Sequence, residues 1–427
     1  MPSILITGAR VVDPASHTDA VMDVLVNDGA IARMEPSIQP PPGARVIDAR
    51  GWVAAPGFVD MHVHLRDPGQ THKEDIFTGC RAAAAGGVTS LLCMPNTTPA
   101  IDTPETVRYV KEKSAGADAH VYVCGAISRG LKGEEATDIA ALKQAGVIAL
   151  SDDGRPVKSA AMMAKAMQEA RRQHLTVTAH CEDLPLAAGG IMNDGAVSME
   201  LGVPGDPAAA EDVGTAREIA LAASLGVPVH ICHVSTAVSA AMIRAAQQDG
   251  VAVTGETCPH YLLLTEEALV SRNANFRMNP PLRTEEDRIA MVQALQDGTL
   301  SAISTDHAPH TPEEKADFEK APNGSIGMET SFAASYTALV KTGALSLSSL
   351  IEKMTVNPAS ILHIDAGYLS PGGPADIVLL DENEEWVVDP DSLHGKSRNT
   401  PFAGMRLTGR VKMTICGGKI VYDSRQA

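Results

Sequence analysis

Between Gly57 and residue 309, eight short apolar runs recur, each separated from the next by a longer, Ala-rich stretch compatible with helix. They are "GFVDMHVH" (57–64), "VTSLLCMP" (88–95), "AHVYVCGAI" (119–127), "VIALSDD" (147–153), "LTVTAHCED" (175–183), "VPVHICHVS" (227–235), "VAVTGETCP" (251–259) and "LSAISTDHAP" (300–309). Near-continuous apolarity suits strands covered on both faces, and intervening helices make such strands parallel. Eight strand and helix units predict an α/β fold, a (β/α)8 TIM-like barrel. The glycines of "GGV", "AGV", "LGV" and "DGV", at 87, 146, 226 and 250, read as helix C-caps leading into strands.

The two ends of the chain have a different texture. "SILITGARVVD", "MDVLVNDGAIARM" and "GARVIDARGWVAAPG" alternate apolar and polar residues around Gly and Asp corners, as short strands do. After Ile364 the same texture resumes in "ADIVLLDEN", "EEWVVD" and "VKMTICGGKIVYD". The expected organisation is a barrel over 55–364, flanked by segments 1–54 and 365–427 that combine into one small composite β-sandwich.

Charge narrows the classes of partner. A net charge of −17 leaves no large basic footprint for nucleic acid or an anionic membrane, so a bound anion must meet local cations. Seven scattered cysteines without a CxxC spacing point to reduced thiols and a cytoplasmic protein. No window reaches the length of a membrane span, and "MPSILITGARVVDPAS" lacks the basic start and long apolar region of an export signal.

Candidate chemistry gathers at the ends of the expected strands, where barrels build their active sites. The first ends in His62 and His64, the fourth in Asp152 and Asp153, the fifth in His180, the sixth in His233 and the eighth in Asp306. His62 and His64, two apart on a strand, share a face. Imidazoles with a carboxylate form an ordinary shell for a divalent transition metal such as zinc. One inward histidine is more often a core residue; recurrence at several strand ends is the signal. His17, His120, His174 and His394 fall elsewhere and read as structural or solvated, and His72 as a surface residue. His230 lies three residues before His233 and is expected on the opposite face.

The strings "GFVDMHVHLRDPGQTHKEDI", "CMPNTTP", "SDDG", "AHCED", "CHVST", "RMNPPLR", "STDHAPH" and "SPGGPADIVLLD" span nearly the whole chain. Together they resemble the bacterial class I dihydroorotases of the amidohydrolase superfamily. The resemblance implies reversible cyclisation of N-carbamoyl-L-aspartate to L-dihydroorotate plus water, in pyrimidine biosynthesis. Carried over by motif, it implies one or two zinc ions per subunit, with two favoured. His62 and His64 would hold the first, His180 and His233 the second, Asp153 would be shared, and Asp306 would be both ligand and proton carrier. Many relatives place a carbamylated lysine on strand four. "LSDDG" has none, so Asp153 is expected to substitute, with Asp152 as a supporting hydrogen-bond acceptor.

For substrate, the resemblance assigns Arg66, Asn96 and His310 to the carboxylate and Asn279, Asn323 and Gly324 to the ring. Arg66 could instead pair with Asp67 or Glu74, and Asn96 could cap a turn. The polar segment 307–327 is read as a lid. A homodimer, or a complex with aspartate transcarbamoylase, is compatible with this reading. Two alternatives stand beside it. "ETCPHYL" (256–262) equally suits an allantoinase or hydantoinase, although Arg66 favours an acidic substrate. A non-catalytic partner role is disfavoured because every ligand position is filled.

Overall fold

All eight central runs form parallel strands in the computed structural model, which describes residues 3–426. Five strands precede them: β1 (Ile4–Asp13), β2 (Thr18–Asn27), β3 (Ala30–Glu35), β4 (Arg45–Asp48) and β5 (Val53–Pro56). The barrel strands are β6 (Phe58–Val63), β7 (Val88–Cys93), β8 (His120–Gly125), β9 (Val147–Leu150) and β10 (Thr176–Ala179), then, after a two-residue pair β11 (Met192–Asn193) and β12 (Gly205–Asp206), β13 (Val229–Ile231), β14 (Val253–Thr257) and β15 (Ala302–Ile303). The chain ends in β16 (Ile377–Val387), β17 (Arg406–Cys416) and β18 (Lys419–Asp423).

The barrel strands pair in the order β15-β14-β13-β10-β9-β8-β7-β6. The seam between β6 and β15 is closed by contacts at and beyond their ends. Val63 bridges His307, and the His64 N–H donates to the His307 carbonyl at 2.8 Å. Asp60, on the same strand, accepts from the Thr305 N–H at 3.1 Å and its hydroxyl at 2.6 Å. The strands are shorter than the apolar runs because polar termini leave the ladder to make such side-chain contacts. Of the four glycine separators, Gly146 and Gly226 are helix caps, while Gly87 and Gly250 fall one residue past the caps Gly86 and Asp249.

The terminal segments form one sheet, β18-β17-β16-β5-β1-β2-β3, with β4 branching from β1. Strand β1 makes this fusion. Ile4–Thr7 pair with β4, Arg10 and Val11 pair with β5, and the register against β2 breaks between Ile6 and Ala9. β5 then pairs antiparallel with β16, joining the two ends of the chain. Ile6, Val11, Val24, Ile31, Ile377, Leu379 and Met413 belong to a buried apolar cluster of this sheet's own. "ADIVLLDEN" and "EEWVVD" prove to be one strand, interrupted where the Asp381 carboxylate accepts from the Asn383 and Glu384 N–H groups. No helix among the described residues is long and apolar enough to cross a membrane.

Candidate metal centre and active site

Asp153 sits at the middle of the imidazole cluster. Its Oδ1 lies 3.1 Å from His62 Nε2, 3.5 Å from His180 Nδ1 and 3.6 Å from His233 Nε2, and its Oδ2 is 3.5 Å from His64 Nε2. Two sets of donors result, His62 with His64 and Asp153, and Asp153 with His180 and His233, so the carboxylate is common to both. Asp306 Oδ1 completes the first set, 3.0 Å from His64 Nε2 and 3.5 Å from His62 Nε2. Arg66, His233 and Asp306 all have left-handed backbone, with φ of 60, 35 and 48°. Such conformations in bulky residues carry strain that active sites retain to aim side chains.

The residues fit a divalent transition metal. Bonds of about 2.0–2.1 Å place neighbouring tetrahedral ligands roughly 3.3 Å apart, the spacing found here. His62 Nε2 and Asp153 Oδ1 are buried and face one another without a proper hydrogen bond, and His233 Nδ1 is buried without a partner. Buried polar atoms of this kind are costly unless something satisfies them. Burial pushes the Asp153 carboxyl up, but His62, His180 and His233 outweigh it and hold the group well below the ordinary range. Asp306 is pushed up by burial and brought below its usual value by His64, His62 and His233. Both are therefore carboxylates at neutral pH.

Above the cluster lies a cavity of about 280 Å³, near the small end of ligand pockets. Arg66, Asn96, Asn279, His310, Asn323 and Gly324 all line it, beside His64, Asp153, His180 and Asp306. Arg66 pairs with neither of the partners considered from sequence. Its Nε donates to the Pro309 carbonyl at 3.1 Å and Nη2 lies 3.3 Å from His310 Nε2. Burial lowers the guanidinium to about 10, which leaves it cationic. His310 falls to about 3, through burial and the Arg66, Lys315 and Lys73 charges, and is therefore neutral. Gly324 has φ +128°, and a Cβ there would lie 2.7 Å from the Ala308 side chain and 3.1 Å from His310 Nε2. Asn96 does not merely cap a turn: its Oδ1 is 2.8 Å from His64 Nδ1, fixing the ring with Nε2 toward Asp153.

Asp152 accepts from the Ile127 and Ser128 N–H groups at 2.7 and 3.0 Å and from the Ser128 hydroxyl. It anchors the loop after β8 rather than touching the imidazoles. Several supporting residues escape a sequence reading. Glu182 Oε2 lies 2.9 Å from His180 Nε2 and accepts from Asn279 Nδ2 at 3.1 Å. Its place two residues after His180 was the available signal. Glu256 places Oε1 3.4 Å from His62 Nδ1 and Oε2 3.3 Å from His230 Nε2, with the Ser304 hydroxyl as donor. His230 is thus linked to the metal-type cluster instead of facing away from it. β13 ends at Ile231 and His233 turns left-handed, so strand parity does not carry across.

A model of the amidohydrolase family matches residues 53–421. A dihydroorotase of Geobacter metallireducens is 47% identical over 422 residues, 98% of this chain and 99% of its own length. One of Acetivibrio thermocellus is 48% identical over 421 residues, 98% of each chain. Among solved structures, an L-hydantoinase (dihydropyrimidinase) from Arthrobacter aurescens superposes with a TM-score of 0.89 at 26% identity, covering 99% of this chain and 96% of its own. A dihydropyrimidinase from Brevibacillus agri gives 0.87 at 25% identity, covering 99% and 95%.

Proposed function

The chain belongs to the amidohydrolase family and catalyses the dihydroorotase reaction, and we propose that His62, His64, Asp153, His180, His233 and Asp306 hold two zinc ions for it. One observation supports this reading above others: a single small cavity has a cluster of metal-type donors as its floor and a buried guanidinium on its wall. When bound, the metal supplies a water of pKa near ~7 and polarises the amide carbonyl.

The protein's own groups do the rest. In ring opening, the Asp306 carboxylate accepts the proton of the attacking water and delivers it to the leaving ring nitrogen. In cyclisation it takes a ureido proton as that nitrogen attacks the side-chain carboxyl, which carries one proton drawn from solvent, and passes the ureido proton to the departing hydroxyl, which leaves as water. Arg66 and Asn96 hold the carboxylate that both substrates keep. His310, being neutral, presents a lone pair or an N–H to the same end of the molecule, according to tautomer. Asn279 and the backbone at Asn323 and Gly324 hold the ring amides, and Asn96 with Glu182 keep His64 and His180 in their working orientations. We place the protein in the cytoplasm, where its seven buried cysteines, none of them in a disulfide, stay reduced.

A parallel assay with dihydroorotate, allantoin and hydantoin on protein of measured metal content tests the reading. Turnover of dihydroorotate is expected to exceed the other two, vanish on chelation and return with zinc. Activity that persists after verified metal removal would refute the metal assignment, and faster turnover of allantoin or hydantoin would refute the role given to Arg66.

A further inference from the structure

A second set of metal-type donors gathers at the opposite end of the barrel. His120 opens β8, Asp376 immediately precedes β16, and Cys416 closes β17, so barrel and terminal sheet both contribute. A ring nitrogen, a carboxylate oxygen and the Cys416 Sγ lie within 4.8 Å of one another. His120 Nε2 is 3.2 Å from each Asp376 oxygen. Charge-assisted N–H···O bonds run about 2.7–2.9 Å, as His394 with Glu329 at 2.8 Å and His180 with Glu182 at 2.9 Å illustrate. The His120 ring shares one nitrogen between both Asp376 oxygens, and that spacing is also close to the edge of a tetrahedron of metal ligands, roughly 3.3 Å. It also falls within the 3.0 to 3.6 Å spread of the catalytic donors.

The surroundings suit an ion. Asp376 and Cys416 are buried, and the Gly417 N–H fixes Asp376 Oδ1 at 2.7 Å, as an outer hydrogen bond fixes a ligating carboxylate. The His120 side chain is 45% exposed and borders a surface cavity of about 530 Å³, which gives an ion a way in and leaves a coordination position for water. The geometry points to a zinc-type site with three protein ligands, His120, Asp376 and Cys416, clipping the terminal sheet to the floor of the barrel. On binding, the Cys416 S–H bond breaks, its proton leaves to solvent, and the thiolate becomes the third protein ligand. The floor of such a barrel serves stability rather than chemistry, and this site is independent of the catalytic reading.

Cobalt distinguishes the two sites, because the catalytic donors are imidazoles and carboxylates whereas this one adds a thiolate. The enzyme is stripped of metal and reloaded with Co²⁺, with a Zn²⁺ arm and measured metal content. A thiolate-to-cobalt charge-transfer band is expected in the near ultraviolet. It should survive Cys232→Ser, the control for a thiol beside His62 and Glu256. It should disappear in Cys416→Ser and in His120→Gln, the latter at a partly exposed side chain, with circular dichroism confirming that both variants are folded. Both variants should bind less zinc and keep dihydroorotate turnover. A missing band in the unmodified enzyme, or one that persists in Cys416→Ser, overturns the proposal.

Discussion

Asp306 and Arg66 face the same cavity, and the proposed reaction gives them different tasks. Asp306 stays ionised among imidazoles, 3.0 Å from His64, and can take and return a proton. Arg66 lines the same cavity, anchored by the Pro309 carbonyl, and stays charged, as the carboxylate-binding role proposed for it requires. Two substitutions should separate these roles. Asp306→Asn removes the proton acceptor and keeps the shape, so kcat is expected to fall by about 10²–10⁴ with KM little changed. Arg66→Ala removes a charge-assisted contact of about 1.5–3 kcal/mol, raising KM for dihydroorotate roughly 10- to 100-fold. Steady-state kinetics at matched metal content check both. Equal loss in kcat and KM from the two variants would end the division of labour.

At the scale of elements, what is legible is what depends on period and composition. The eight apolar runs each become a strand because burial on both faces demands them, and the glycine separators fall at or next to helix ends for backbone reasons. Residues at strand ends were reachable by the same logic, and all six expected substrate groups line one cavity. What escaped depends on where a strand stops. β13 stops at Ile231, so parity counted back from His233 misplaces His230, which meets Glu256 of β14 beneath His62. Within segment 307–327, read as a lid from its polarity, Lys315 Nζ donates to the Ala274, Arg277 and Pro322 carbonyls at 3.1, 3.2 and 2.7 Å, contacts that polarity alone does not predict. The Glu256 network makes its own prediction. Glu256→Gln weakens the acceptor behind His62, and zinc affinity should fall about 10- to 100-fold. Competition with a chromogenic chelator measures it, and unchanged retention would show that His62 needs no such support.

Across the whole molecule, the C-terminal segment reaches back to brace the barrel mouth. Asn399 Nδ2 donates to the Ala308 and Gly324 carbonyls, each at 3.1 Å, and its Oδ1 accepts from the His310 N–H at 3.1 Å. Nearby, Lys396 donates its N–H to the Glu74 carboxylate at 3.2 and 3.3 Å, and the Thr78 hydroxyl donates to the same group. Glu74 is fully buried, and burial raises its carboxyl to about 7 despite those donors. This tie therefore titrates. A carboxyl whose pKa is raised on folding contributes stability that is complete below the unfolded value, near 4.5, and is lost as pH climbs through about 7. A shift of that size corresponds to about 3 kcal/mol. Glu74→Gln keeps a carbonyl acceptor for Lys396 but carries no charge to desolvate. Relative to it, the unmodified protein should lose up to about 3 kcal/mol of stability between roughly pH 5 and pH 8. Urea midpoints at both ends of that range, on zinc-loaded protein, give the comparison. Parallel pH profiles would mean that Glu74 is already ionised when folded, with the Lys396 amide and Thr78 hydroxyl outweighing its burial.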